Sequence, residues 1–174
     1  LTITPCSKHH LRNWRAEYYA QIADFAADAY GMRIVLAGAN TDDDKRMGER
    51  IVSQMHQPGV NAIGESSVLE LLALLERSTL LLTPHAAPAH LATAVGTPVL
   101  GLYAATNSLR DGPYLSRQLC VDKYDAAARL LLNKPASEVA WETKIEREGV
   151  MDLITPDEVL KKLQSFMAQR HKRH

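Results

Sequence analysis

The feature that most constrains the fold of this chain is its regular alternation of short apolar runs with longer helical patterns. Residues 79–83 (TLLLT) and 99–103 (VLGLY) are typical of buried strands, and residues 88–95 between them predict a short helix closed by Gly96. A strand, a helix and a second strand of this kind form a parallel βαβ unit. The loop after the first strand, which contains His85, therefore lies at the carboxyl edge of the sheet, where open α/β folds bind ligands.

The same alternation runs through the rest of the chain. Further strands are predicted at residues 1–5, 32–38, 61–65 and 118–122, and further helices at 14–31, 40–55, 66–78, 124–134 and 155–170. Residues 106–117 are expected to form a polar loop. This order predicts an α/β fold, a Rossmann-like three-layer domain with a mainly parallel sheet of about six strands and helices on both faces. No repeat or linker interrupts the pattern, so residues 1–174 are expected to form a single domain.

Composition excludes several classes of function. The 174 residues are 46% hydrophobic, which is enough for one buried core. Lys plus Arg and Asp plus Glu are 20 each, and only 6% of residues are aromatic, so no nucleic-acid partner is expected. Two cysteines, Cys6 and Cys120, are too few for a disulfide scaffold.

The sequence begins with Leu1 and runs directly into a strand pattern, so we expect it to be part of a longer protein.

Four loops follow strands and should meet at one edge of the sheet. They read PCSKHHLRNW, GANTDDDK, TPHAAPAH and AATNSLRDGPY. Cations, hydroxyl groups and helix N-termini in one place suit a phosphorylated or nucleotide ligand. The polar candidates are Ser7, Lys8, Arg12, Thr41, Asp42, His85, His90, Thr106 and Arg110.

Each of these features also has a simpler explanation. Lys8 and Arg12 are equally compatible with a solvated surface, and the TDDD run is first of all a good helix start. His85 and His90 lack the spacing of three or four residues and the further ligands of a zinc site, so no metal is predicted. The absence of G-x-G-x-x-G, P-loop and G-x-S-x-G motifs disfavours dinucleotide binding and serine hydrolysis.

Several motifs in register resemble those of one known family. They are SVLELLALL (67–75), HAAPAHLATAVGTP (85–98), YAATNS (103–108) and GPY (112–114), preceded by SKHHLRNW and GANTDDDK. The order is similar to that of glycosyltransferase family 9, the ADP-heptose:lipopolysaccharide heptosyltransferases. The two upstream segments resemble the family's K-x-W and G-x-x-x-E segments, with Arg12 at the lysine position and Asp42 near the acidic position.

The resemblance implies a GT-B fold, in which two Rossmann-like domains face each other across a cleft. Residues 1–174 would be the C-terminal, nucleotide-sugar-binding domain, and the N-terminal domain, which carries the catalytic base, would be absent from this chain. The implied reaction transfers a heptose-like sugar from an ADP-heptose-like donor to a lipopolysaccharide core acceptor, without a metal or cofactor. The enzyme would be cytoplasmic, at the inner face of the bacterial inner membrane, and the chain alone would be inactive. Its last helix, residues 155–170, would lie apart from the core.

Positions in the family assign the donor site. Ser7, Lys8 and Arg12 would hold the diphosphate, Asp42 would approach the ribose, and the loop from His85 to His90 would lie beside the sugar and phosphates. The implied donor-binding residues are Ser7, Lys8, Arg12, Thr41, Asp42, His85, Ala86, Ala87, Pro88, His90 and Thr106.

This sequence departs from the family at His85, where relatives have an acid, and at Ala87, where they have glycine. A neutral histidine can still donate and accept hydrogen bonds to a sugar, whereas a protonated one favours phosphate. Two other readings remain open, a non-catalytic doubly wound ligand-binding or regulatory module and a GT-B sugar-nucleotide epimerase.

Overall fold

Six parallel strands form one sheet in the computed structural model, which describes residues 1–172. The strands run in the order β3-β2-β1-β4-β5-β6, and each pairs with its neighbours in parallel. This is the order of the doubly wound nucleotide-binding folds, and it confirms the predicted fold class. The strands are β1 (Thr2–Ile3), β2 (Ile34–Leu36), β3 (Gly59–Asn61), β4 (Leu81–Pro84), β5 (Val99–Tyr103) and β6 (Val121–Asp122).

Helices connect the strands as the alternation predicted. They are α1 (Ala16–Tyr30), α2 (Asp42–Gln54), α3 (Val68–Glu76), α4 (Ala87–Ala94), α5 (Ser108–Asp111), α6 (Tyr124–Leu132) and α7 (Pro156–His171). Gly31 ends α1 in the left-handed conformation, with φ of 61°. Ser67 and Glu70 form a reciprocal capping box at the start of α3. No helix within residues 1–172 combines the length and the apolar character needed to cross a bilayer.

Three details differ from the sequence predictions. Strand β3 begins at Gly59, two residues before the predicted strand, because this edge strand is mostly exposed and has no apolar pattern to mark it. The predicted loop 106–117 contains α5, whose N-cap Asn107 accepts a hydrogen bond from the Leu109 N–H. The last helix does not lie apart, because Val159, Leu163 and Met167 are buried in the main core.

The two faces of the sheet are covered by separate apolar clusters. Along β4, Leu82 belongs to the large cluster that includes α1 and α7. Its neighbour Leu81 belongs to the smaller cluster with Leu75, Ala89 and Val99. Adjacent strand residues point to opposite faces, so both faces of β4 are buried, as expected of a central parallel strand.

The chain changes its winding direction between β1 and β4, which are neighbours at the centre of the sheet. From β1 the chain continues to β2 and β3 on one side, and from β4 to β5 and β6 on the other. Two hydrogen bonds join the ends of these strands: Thr4 Oγ1 donates to Thr83 Oγ1 at 2.7 Å, and Ser7 Oγ donates to the His85 carbonyl at 2.7 Å. A crevice at such a switch point is where open α/β sheets bind ligands.

Candidate functional site

A cavity of about 630 Å³ opens at this switch point, between the loops that follow β1, β2 and β4. Its size falls within the range of small-molecule sites. Its lining combines an apolar surface of Val68, Leu71 and Leu91 with hydroxyl groups, a cation and carboxylates. The polar lining consists of Thr4, Ser7, Lys8, His10, Asn13, Thr41, Asp43, Asp44, Ser66 and Ser67.

Three helices begin at the cavity, and their N-termini differ in how they are capped. Thr41 caps α2 by accepting a hydrogen bond from the Asp44 N–H at 3.1 Å, and Ser67 caps α3. The N-cap of α4 is Ala86, whose side chain makes no such bond. The Ala87 N–H and the positive dipole end of α4 therefore face no side-chain cap and are open to an anion, unlike those of the other two helices.

The loop after β1 is folded into a compact hoop beside α4. The Ser7 N–H donates to Asn13 Oδ1 at 2.7 Å, and a short 3₁₀ helix, His10–Arg12, closes the hoop. Ser7, Lys8, His10 and Asn13 all line the cavity. Because the Lys8 side chain is exposed at the rim, its ammonium is free to complete the charge of an anion held at α4.

Three consecutive acids form the first turn of α2, beside the cavity. Asp42 is exposed on the first turn of α2 and does not line the cavity, whereas Asp43 and Asp44 do. Asp44 is fixed by two bonds, from the Ala39 N–H at 3.2 Å and from Thr41 Oγ1 at 2.5 Å. Successive helix residues differ by about 100° in direction, so a motif match at Asp42 cannot distinguish among three consecutive acids.

Arg12 lies beside the cavity rather than in its lining. Its Nε and Nη2 atoms lie 2.7 and 2.5 Å from Oε1 of Glu146, and the two side chains are only 13% and 22% exposed. Partial burial raises the pKa of Glu146, but the hydrogen bond and charge of Arg12 outweigh that effect and leave the pKa below its ordinary value. Sequence reasoning missed Glu146, which lies in a segment without a regular pattern.

His85 has an unusual environment just before α4. Its ring stacks on Tyr103 with centroids 6.1 Å apart, and Nδ1 lies 3.9 Å from Asp111 Oδ2, beyond hydrogen-bond distance. Burial lowers the pKa of His85; Asp111 opposes the shift, and Arg12 adds to it. The imidazole is therefore neutral at pH 7 and suited to hydrogen bonding rather than to ion pairing.

The structure thus brings together about half of the residues implied by the motifs. Ser7, Lys8, Thr41, Ala86, Ala87 and Pro88 line the cavity. The side chain of His90 is exposed and Thr106 is 1% exposed, and neither residue lines the cavity, nor do Arg12, Asp42 and His85. The donor-binding roles of all these residues remain predictions. Among the side chains that the structure describes in residues 1–170, no cluster of histidine, cysteine and acidic groups is arranged to hold a metal ion.

Comparison with known families agrees with the motif order. The model of glycosyltransferase family 9 (heptosyltransferase) matches residues 1–147, which is most of the chain. The chain belongs to glycosyltransferase family 9. This family 9 chain is 33% identical over 160 residues to the lipopolysaccharide core heptosyltransferase OpsX of Haemophilus influenzae. The match covers 92% of this chain and 46% of OpsX, so the chain spans about half the length of that relative.

Two solved heptosyltransferase structures share the fold. The Escherichia coli ADP-heptose lps heptosyltransferase II matches with a TM-score of 0.73 and 20% identity, over 98% of this chain and 46% of the enzyme. The E. coli heptosyltransferase WaaC, solved with ADP, matches with a TM-score of 0.66 and 13% identity, over 95% of this chain and 43% of WaaC. The family 9 chain therefore has the Rossmann-like fold of about half of a GT-B heptosyltransferase.

Proposed function

We propose that this chain is the donor-binding domain of a glycosyltransferase that transfers a heptose-like sugar from a nucleoside-diphosphate sugar to a lipopolysaccharide core acceptor. The observation that carries the proposal is the switch-point cavity, with the uncapped N-terminus of α4 at its wall, in a member of glycosyltransferase family 9. The name of OpsX as a lipopolysaccharide core heptosyltransferase and the presence of ADP in the WaaC structure support the choice of donor and acceptor.

The two halves of the cavity suit the two halves of a nucleoside diphosphate. The apolar wall of Val68, Leu71 and Leu91 offers a surface for the base, and the carboxylates of Asp43 and Asp44 can accept hydrogen bonds from ribose hydroxyls. The diphosphate would lie at the start of α4, where N–H groups and the dipole favour negative charge. The sugar would then extend from the cavity towards His85.

Sugar transfer leaves a nucleoside diphosphate, so catalysis requires stabilisation of its developing negative charge. The N-terminus of α4 and the side chains of Lys8 and Arg12 would supply that stabilisation from fixed positions, without a metal ion. His85, being neutral, would orient the sugar through hydrogen bonds.

The general base would come from an N-terminal domain that faces this one across a cleft, on the cytoplasmic side at the inner face of the inner membrane. This chain alone is therefore expected to bind donor without transferring sugar. The alignment with OpsX, which covers 46% of that enzyme, supports a missing half.

Calorimetric titration of the chain with ADP, adenosine and inorganic phosphate tests the proposal. We expect saturable binding of ADP, weaker binding of adenosine and little binding of phosphate, because ADP alone occupies both halves of the cavity. Lys8→Ala should weaken ADP binding by about 1.5–3 kcal/mol if the ammonium contacts a phosphate. Absence of ADP binding, or sugar transfer by this chain alone, would contradict the proposal.

A further inference from the structure

An irregular segment crosses the carboxyl edge of the sheet and ends at the hoop after β1. We refer to residues 139–147 as the strap. Tyr124 Oη donates to the Thr143 carbonyl at 2.8 Å, and the Ile145 N–H donates to the Ala105 carbonyl at 2.7 Å. The Ile145 side chain is 1% exposed and belongs to the main core. The strap is therefore fixed to the ends of β5 and β6 before it reaches Arg12.

Glu146, near the end of the strap, contacts one edge of the Arg12 guanidinium. Both Nε and Nη2 of Arg12 are directed to one oxygen, Oε1, while Oε2 lies 3.5 Å from His9 Nε2. Nη1 of Arg12 has no hydrogen-bond partner among residues 1–170. One edge of the guanidinium is thus occupied by Glu146, and the other edge retains free N–H groups.

Arg12 lies near the part of the site that follows β4. Asn13, the next residue after Arg12, accepts a hydrogen bond from the Ser7 N–H at 2.7 Å through Oδ1. The backbone of His85 is bonded to Ser7 of the hoop, and His85 is followed directly by the uncapped start of α4. The loop that carries Arg12 is therefore bonded to the residue that immediately precedes the N-cap of α4.

We propose that Glu146 is a positioning residue, which holds Arg12 so that the free edge of its guanidinium faces the donor phosphates at the start of α4. This inference rests on the proposed function. A planar guanidinium can bond a carboxylate with one edge and a phosphate with the other, whereas an ammonium is a single point of charge.

We infer that the strap fixes the side chain of Arg12 before a ligand binds. A free arginine loses side-chain entropy when a ligand immobilises it, and this cost weakens binding. Arg12 held by Glu146 has already lost that freedom. Removing the hold should therefore weaken binding of phosphate-containing ligands and leave binding of the nucleoside unchanged.

The test compares two variants that remove the same charge. In Glu146→Gln the amide Oε1 can still accept from both Nε and Nη2, because the native contact uses one oxygen only. In Glu146→Ala the contact is lost. Calorimetry should show ADP binding about two- to tenfold weaker in Glu146→Ala than in Glu146→Gln. Adenosine, which has no phosphate, should bind both variants equally. In an Arg12→Ala background the difference for ADP should disappear.

Glu148→Ala and Glu148→Gln form the matched control pair, because Glu148 is an exposed acid just beyond the strap. They should bind ADP equally. Thermal melting checks that each variant is folded, and Glu146→Ser replaces Glu146→Ala if the alanine variant is unfolded at the assay temperature.

The outcomes separate the two proposals. If the natural chain binds no ADP, the proposed function fails and the positioning role fails with it. If it binds ADP but the Glu146→Ala variant binds as tightly as, or more tightly than, the Glu146→Gln variant, only the positioning role is refuted. The positioning role is also refuted if Glu146→Ala weakens the binding of ADP and of adenosine equally, because an equal loss indicates a general structural effect.

Discussion

Replacing Ala86 with aspartate is expected to stabilise the chain and to weaken nucleotide binding at the same time. Ala86 is the N-cap of α4 and supplies no side-chain hydrogen bond. An aspartate there can accept from the Ala89 N–H, which now reaches only the Ala86 carbonyl at 3.1 Å. Pro88 has no N–H, so a single donor is available for the new cap.

The gain in stability follows from that single bond. An N-cap contributes about 0.5–2 kcal/mol to stability. With one donor available, the free energy of unfolding should rise by about 1 kcal/mol. For a domain of this size that corresponds to a rise in Tm of about 2–4 °C. Differential scanning calorimetry of the natural chain and of Ala86→Asp measures the change.

The expected loss of ADP affinity is larger than the gain in stability. The new carboxylate occupies the helix end that a phosphate would use and repels it. Loss of one charge-assisted hydrogen bond costs about 1.5–3 kcal/mol, which corresponds to about a 10- to 150-fold rise in the Kd for ADP. Ala86→Ser is the matched control, because it caps α4 without adding charge and should cost less affinity. Unchanged ADP binding in a stabilised Ala86→Asp chain would show that α4 does not hold the phosphate.

Three further predictions concern pH and stability. Burial holds the pKa of His85 below its ordinary 6.5, so the stability that its neutral form provides is complete above pH 6.5 and falls as the pH drops below that value. His85→Gln should make the Tm depend less steeply on pH between about pH 7.5 and 5.5. Trp14→Phe should cost about 1–3 kcal/mol in urea unfolding, because it removes the 2.9 Å bond from Nε1 to the Ile154 carbonyl; a cost below about 0.5 kcal/mol would contradict this. Gly48→Ala should destabilise by about 1–3 kcal/mol despite alanine's better helix propensity, since its Cβ would lie 2.6 Å from Ile63 Cδ1; a rise in Tm would show that Ile63 moves aside.

The βαβ unit around His85 was predictable because each of its signals is local. Its strands are continuous apolar runs, Pro88 lies in the first turn of its helix, and Gly96 follows that helix with φ of 77°. The capping box at Ser67 is equally local. Such signals depend on residues within one or two turns, so a single sequence is enough to recognise them.

The parts of the site that escaped prediction depend on distance and direction. Glu146 meets Arg12 across 134 positions of the sequence, and no periodic pattern marks the strap. The choice among three consecutive acids depends on the direction in which α2 faces, which is fixed by packing rather than by the motif. The pKa of His85 likewise follows from burial against neighbours that are remote in sequence, such as Arg12 and Asp111.

The most direct test of the central claim is to locate the bound nucleotide on the chain. A ¹⁵N–¹H correlation spectrum of the labelled protein, recorded during titration with ADP, reports each backbone amide. We expect saturable shifts in the amides of Ser7, Lys8, Asp44 and Ala87, which surround the switch-point cavity. Shifts confined to the second cavity, of about 350 Å³ and lined by Gly96, Leu115 and Phe166, or no shifts at millimolar ADP, would contradict it.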